Sequence, residues 1–161
     1  MSTAQIRAVI FDHGGVLTPG GRPGHSERLY ADLMGLDAPL EVRSLRSALK
    51  RGQITSEQFI DEINMSYPNA PRPLDASCWV ASYADLVPDE AAYAFARALA
   101  EWPVHNLTSQ NLIVGILSNI TPAMAIRLQR DGWYDGFTPA LLSCDIGAAK
   151  PEPTAFIEVE D

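Results

Sequence analysis

Arg7-Ala-Val-Ile-Phe-Asp12-His-Gly-Gly-Val-Leu-Thr-Pro19 is the stretch on which the fold turns. Ala8 to Phe11 is apolar, rich in β-branched and aromatic residues, and followed by turn residues, which predicts a strand buried on both faces. Asp12 stands at its carboxyl end, the edge of an open α/β sheet where ligands bind. Gly14-Gly15 lets the backbone approach such a ligand closely, marking Gly15 as a candidate binding position. An acid in this place has a second use, because Asp commonly opens a turn by bonding the backbone two residues on. The remainder of the chain has to separate the two.

The 161 residues are 47% hydrophobic with a mean hydropathy of −0.03, the composition of a globular protein large enough for one domain, or one domain plus an insertion. No apolar run approaches the roughly 18 residues of a membrane span, so no membrane partner is expected. The start, Met1-Ser-Thr-Ala-Gln-Ile-Arg7, lacks the basic and apolar regions of a secretory signal; a cytoplasmic location is expected, and Asn106-Leu107-Thr108 is a chance glycosylation sequon. Twenty acids against twelve Lys and Arg give a net charge of −8, which disfavours nucleic acid as a partner. Cys78 and Cys144 lie far apart with no zinc-type spacing around them, and read as small hydrophobes.

A flexible Pro19-Gly-Gly-Arg-Pro-Gly24 connector leaves the first strand. Between Ser26 and Val87 apolar residues recur at helical spacing in four groups, around Leu33, Leu45, Phe59 and Trp79. Thr55-Ser-Glu-Gln58 has the form of a capping box, and Pro68 to Pro73 is a rigid break before the last group. Tyr67, Trp79 and Tyr83 suit either a pocket or a core, and core is the commoner use of aromatics at this spacing. Residues 20–87 are thus read as an inserted helical domain, and 1–19 with 88–161 as the domain that carries the sheet.

Pro88-Asp89-Glu90 opens another helix that ends before Pro103. Leu112 to Leu117 is a second strand ending on Ser118-Asn119, Thr121-Pro122 starts a helix closed at Gly132, and Phe137 to Ser143 is a third, shorter strand. Strand, helices, strand, helix, strand is the order of a parallel, Rossmann-like α/β sheet. Three strand ends then bring a carboxylate (Asp12), a hydroxyl (Ser118) and, after the third strand, an amine (Lys150) to one sheet edge. A carboxylate nucleophile beside a cation and hydrogen-bond donors is equipment for a phosphoryl group or developing anion.

Phe11-Asp12-His-Gly-Gly15-Val-Leu-Thr18, Ile116-Leu-Ser118-Asn119 and Ser143-x3-Gly147-x2-Lys150-Pro-Glu-Pro-x2-Phe156 resemble the first three motifs of the haloacid dehalogenase-like (HAD) hydrolase superfamily, in the correct order. The insertion resembles that superfamily's helical cap. The resemblance implies a phosphatase acting on a small phosphorylated metabolite through an aspartyl-phosphate. Asp12 would be the nucleophile, Lys150 would offset its charge, Ser118 with Asn119 and Gly15 would bind the phosphoryl group, and Mg2+ would sit on Asp12 and the carbonyl of Gly14.

The chain departs from that pattern twice. Where the family's phosphatases usually carry an acid two residues after the nucleophile, Gly14 stands, and a missing general acid/base forfeits about 10²- to 10⁴-fold in rate. His13 is no substitute, since adjacent residues of an extended backbone point to opposite sides. The family's fourth motif, acids that complete the Mg2+ site, is expected beyond Lys150, whereas Glu158, Glu160 and Asp161 read as solvated helix acids. A truncated chain is therefore expected, with the first strand as an open apolar edge and homodimerisation through that edge or the cap as one way to cover it. Two further readings stay open, a 2-haloacid dehalogenase and a catalytically silent binding remnant.

Overall fold

The computed structural model describes residues 6–20, 24–101 and 112–157; the sequon at 106–108 and the acids at 158–161 lie outside this set. Three strands, β1 (Ala8–Phe11), β2 (Ile113–Ser118) and β3 (Ala140–Leu142), form a parallel sheet in the order β1-β2-β3. Phe11 pairs with Ile116 and Ser118 with Leu142, so all three carboxyl ends reach one edge. Gly115 is required in β2 by close approach, since a Cβ there would lie 2.5 Å from the Pro139 carbonyl oxygen.

β2 is the buried strand, from Val114 to Ser118. β1 corrects the expectation of burial on both faces: Ala8 is exposed and Val9, Ile10 and Phe11 are half-buried. Its only strand neighbour among the described residues is β2, so one of its edges carries no ladder. The third strand is also shorter than the apolar run from Phe137 suggested. Pro139 has no N–H to give a ladder, Phe137 turns into the core, and Ser143 already begins a helix.

Between β1 and β2 lie α1 (His25–Met34), α2 (Arg43–Lys50), α3 (Ser56–Ser66), α4 (Ser77–Ser82) and α5 (Glu90–Ala100); α6 (Pro122–Arg130), α7 (Ser143–Ile146) and α8 (Thr154–Ile157) follow. None of the described helices is long and apolar enough to cross a membrane. The capping box forms as the sequence suggests, with the Thr55 hydroxyl accepting from the Gln58 N–H at 3.2 Å and the Gln58 side chain accepting from the Thr55 N–H at 2.8 Å. Asn64 of α3 holds the Pro-rich segment through both the N–H and the C=O of Leu74, at 2.7 and 2.9 Å.

Two hydrophobic clusters result. Helices α1 to α4 close around Met34, Leu49 and Ile63, with Tyr30, Phe59 and Trp79 in mutual ring contact at 5.5–6.3 Å. The second cluster fills the space between sheet and helices with Leu17, Tyr93, Ile116, Leu128 and Phe137. Met124 of α6 touches both. Trp79 is thus core, as is most of Tyr83, while Tyr67 sits at the margin of the first cluster with its hydroxyl accepting from the Glu41 N–H at 2.9 Å.

A clasp joins the helical unit to the sheet unit at the end of α2. The Ser143 hydroxyl donates to the Lys50 carbonyl at 2.6 Å and accepts from the Ile120 N–H at 2.9 Å. Arg51 pairs with Glu152, and Gly52 presses on α7 so closely that a Cβ would stand 2.2 Å from the Cys144 carbonyl oxygen. Gly52 also has a φ of +63°, which an L side chain adopts at a cost. Gly52→Ala is therefore expected to destabilise the protein by about 2 kcal/mol or more in urea unfolding. Arg51→Ala, which removes a partly solvated pair, should cost less than Gly52→Ala in the same measurement.

Candidate active site

The cavity between the carboxyl edge of the sheet and α1, α2 and α4 has a volume of about 510 Å³, within the range of small-molecule sites. β1 delivers Asp12 to it. One carboxylate oxygen, Oδ1, accepts from the His13 N–H at 2.7 Å and from the Lys150 ammonium at 2.6 Å. The other, Oδ2, makes no hydrogen bond to a described residue. The turn that follows is closed through the His13 carbonyl, which accepts from the N–H groups of Leu17 and Thr18 at 2.9 and 3.1 Å. Asp12 does not spend its carboxylate on a turn two residues on, so the residue is free for the cavity.

Lys150 is fixed from several sides. Its Nζ also donates to the Leu117 carbonyl at the end of β2, at 2.6 Å. The Asn119 side chain brackets its backbone, donating to the Lys150 carbonyl and accepting from the Lys150 N–H, each at 2.8 Å. Asn119 lines the cavity, yet both ends of its amide are committed to placing Lys150. Ser118 is buried, lines the cavity, and has no hydrogen-bond partner among the described residues. Lys150 and Asp12 are 20% and 45% exposed in their side chains, so a small solute has access to the pair.

Gly15 departs from its expected role. Its φ is +86° and its N–H is taken by the Thr18 carbonyl at 2.8 Å, which places it in the turn; the lining residue of the pair is Gly14. A Cβ built on Gly14 meets nothing within 4 Å, so the position is vacant of an acid without being closed to one.

The His13 ring packs into an aromatic box of Tyr93, Trp133 and Tyr134, with Nε2 at 3.1 Å from the Tyr93 hydroxyl oxygen. Burial pushes its pKa down to about 4, against a smaller upward pull from Asp12. Asp12 and His13 thus divide, one to the site and one to the core, as alternation along an extended backbone requires.

Helix α2 supplies two cations that a reading of helical periodicity passed over, because a Lys or Arg on a helix face ordinarily signals solvent. Arg46 is matched, its Nη1 lying 2.6 Å from Oε1 of Glu27. Burial opposes ionisation of Glu27, yet hydrogen bonds from its own backbone and from Arg46 outweigh it and hold the carboxyl below the usual range. Lys50 lines the cavity without a hydrogen bond or ion pair from its side chain to any described residue. Burial, then Arg46, lower its pKa, while Glu27 and Asp12 pull it up. On the α4 side the Tyr83 hydroxyl meets the Thr121 hydroxyl at 2.7 Å, and burial pushes that phenol up so that it stays neutral.

Asp12 is the one carboxylate among the described lining residues, and no group of three Asp, Glu, His or Cys residues suited to a metal occurs among the described residues. The Asp12 carboxylate with the Gly14 carbonyl is an incomplete donor set for Mg2+, whose octahedral preference asks for more. The described residues alone do not make the expected magnesium site.

No protein-family profile and no curated protein matches the sequence. Solved structures do. A predicted HAD-like family hydrolase from Porphyromonas gingivalis superposes with a TM-score of 0.69 at 20% identity, over 97% of this chain and 75% of that one. A HAD family enzyme from Bacteroides thetaiotaomicron, in its magnesium complex, gives 0.74 at 21% identity over 96% and 76% of the two chains. The same enzyme with magnesium and inorganic phosphate gives 0.70 at 20% identity over 96% and 77%. The fold is that of the HAD-like hydrolases. The HAD-like fold accounts for the element order, and in this chain Asp12, Ser118 and Lys150 line one cavity at the carboxyl edge of the sheet.

The His13 box has a measurable consequence. Above about pH 6.5 the imidazole is neutral folded and unfolded, and contributes no pH dependence. Between about 6.5 and 4 the unfolded chain takes up a proton that the folded chain refuses, so stability falls as pH falls. His13→Phe is expected to remove about 2 kcal/mol of that loss between pH 7 and 4.5, read as the difference between urea unfolding free energies at the two values. Equal pH slopes in both proteins would contradict the assignment.

Proposed function

We propose that this protein is a HAD-like hydrolase of small phosphorylated metabolites, with Asp12 as nucleophile and the helices of residues 20–87 as its cap. The observation that carries the reading is Asp12 itself. Its Oδ1 is held by Lys150 and the His13 N–H while Oδ2 makes no hydrogen bond to any described residue, and Ser118 lines the same cavity.

In this reading Oδ2 attacks phosphorus, a P–O bond to the carboxylate forms as the ester P–O bond breaks, and the alkoxide leaves with the electron pair. Lys150 holds the carboxylate in position, and Ser118 donates to a phosphoryl oxygen. Water then attacks phosphorus, releasing inorganic phosphate and restoring Asp12. With Gly14 where an acid would stand, solvent supplies the proton to the leaving group, so good leaving groups are favoured. Magnesium dependence belongs to the proposal by analogy with the magnesium and phosphate complexes of the Bacteroides enzyme. It is a variable of the assay, with no step routed through it.

The absence of an acid at Gly14 also suits a 2-haloacid dehalogenase, in which Asp12 would displace halide from carbon. Halide release from 2-chloropropionate without phosphatase activity would select that reading. For the leading one, p-nitrophenyl phosphate should be hydrolysed, with and without added Mg2+ as separate arms. Asp12→Asn should lower kcat by about 10³-fold or more. Because the space at Gly14 is open, Gly14→Asp should raise kcat for poor leaving groups by about tenfold or more. No turnover, or turnover indifferent to Asp12→Asn, rejects the proposal and leaves the silent remnant.

A further inference from the structure

Charge in the cavity does not close. Asp12 is matched by Lys150, and Arg46 by Glu27. Lys50 remains, a half-buried ammonium at the last residue of α2 whose side chain makes no hydrogen bond or ion pair to any described residue. An amine that only covers surface keeps its head in water, whereas this one lines the same cavity as Asp12.

Its placement is fixed. The Lys50 carbonyl is bound by Ser143, the next residue is paired to Glu152, and Gly52 is pressed on the Cys144 carbonyl. The first of these ties runs through the residue that also holds Ile120, two positions beyond Ser118. The amine is therefore carried by backbone locked to the same frame as the strand ends. It reaches the cavity from the helical side, while Lys150 reaches it from the sheet side.

We propose that Lys50 binds a second anionic group of the ligand, a carboxylate at the end remote from the phosphoryl group, so that the preferred substrates are phosphorylated carboxylic acids. The assignment rests on the phosphoryl reading for the group at Asp12, and Lys50 selects what is attached to it. A carboxylate leaves the Lys50 ammonium paired and desolvated, whereas a neutral end of the same shape leaves it desolvated and alone.

The test uses the full chain and a matched pair of alkyl phosphonates, equal in length, one ending in a carboxylate and the other in a carboxamide. Titration calorimetry reads binding without turnover. Expected is a preference of about tenfold or more for the carboxylate, since hydrogen bonds to charged groups are the strong ones. That preference should fall to near unity in Lys50→Met and persist in Lys50→Arg. Lys50→Gln serves as a second neutral variant, with thermal unfolding as the check that each protein is folded.

Equal affinity for the two phosphonates in the unmodified protein, or no binding of either, overturns the inference. So does an equal loss of both in Lys50→Met, which would place the amine on the phosphoryl group. A preference lost in Lys50→Met in a protein that fails to hydrolyse p-nitrophenyl phosphate upholds Lys50 and rejects the hydrolase.

Discussion

A single ammonium ties the molecule's chemistry to its architecture. Lys150 Nζ bridges the carbonyl of Leu117, at the end of β2, and the carboxylate of Asp12, at the end of β1. Its backbone is gripped by Asn119, one residue beyond β2. Adjacent parallel strands bring their carboxyl ends side by side, which concentrates acceptors, and a cation from the loop after β3 is what makes that convergence tolerable. The partial exposure of the pair means its contribution to stability is modest. Its effect is positional, because it presents one oxygen of Asp12 outward and occupies the other.

The second constraint is the Ser143 hydroxyl, fully buried and shared between the two units. Accepting from Ile120 and donating to Lys50, it makes the start of α7 a common anchor for the loop after β2 and the end of α2. Two hydrophobic clusters, each closed largely within its own elements, are joined at this polar contact, at Met124 and at the Arg51–Glu152 pair. A cavity is left where they meet, lined from below by strand ends and from above by α2.

Local chemistry was legible wherever a residue acts on its own neighbours. Thr55 and Gln58 make the capping box their spacing implies, the four helical groups become four helices, and Asp12 and Lys150 meet as the convergence of strand ends requires. What failed did so where residue type does not show which group a residue is bonded to or covered by. Gly15 looked like a ligand contact because it is a glycine beside an acid, but the Thr18 carbonyl claims its N–H. β1 looked fully buried because it is wholly apolar, yet it takes its exposure from its place at the edge of the described sheet. Arg46 and Lys50 give no signal in the helical period of α2, and only the fold places them on the cavity.

By itself the sequence determined the parallel α/β class, the position of the nucleophile candidate, the vacancy at Gly14 and the order of the helices. All of these follow from residue type and short-range period. Only the tertiary structure decided which oxygen of Asp12 is left without a partner among the described residues, that Asn119 serves Lys150, and that one lining cation makes no ion pair to a described residue. The reason is physical: charge balance and hydrogen-bond satisfaction are settled between groups dozens of residues apart, and no local pattern encodes which of several candidates arrives first.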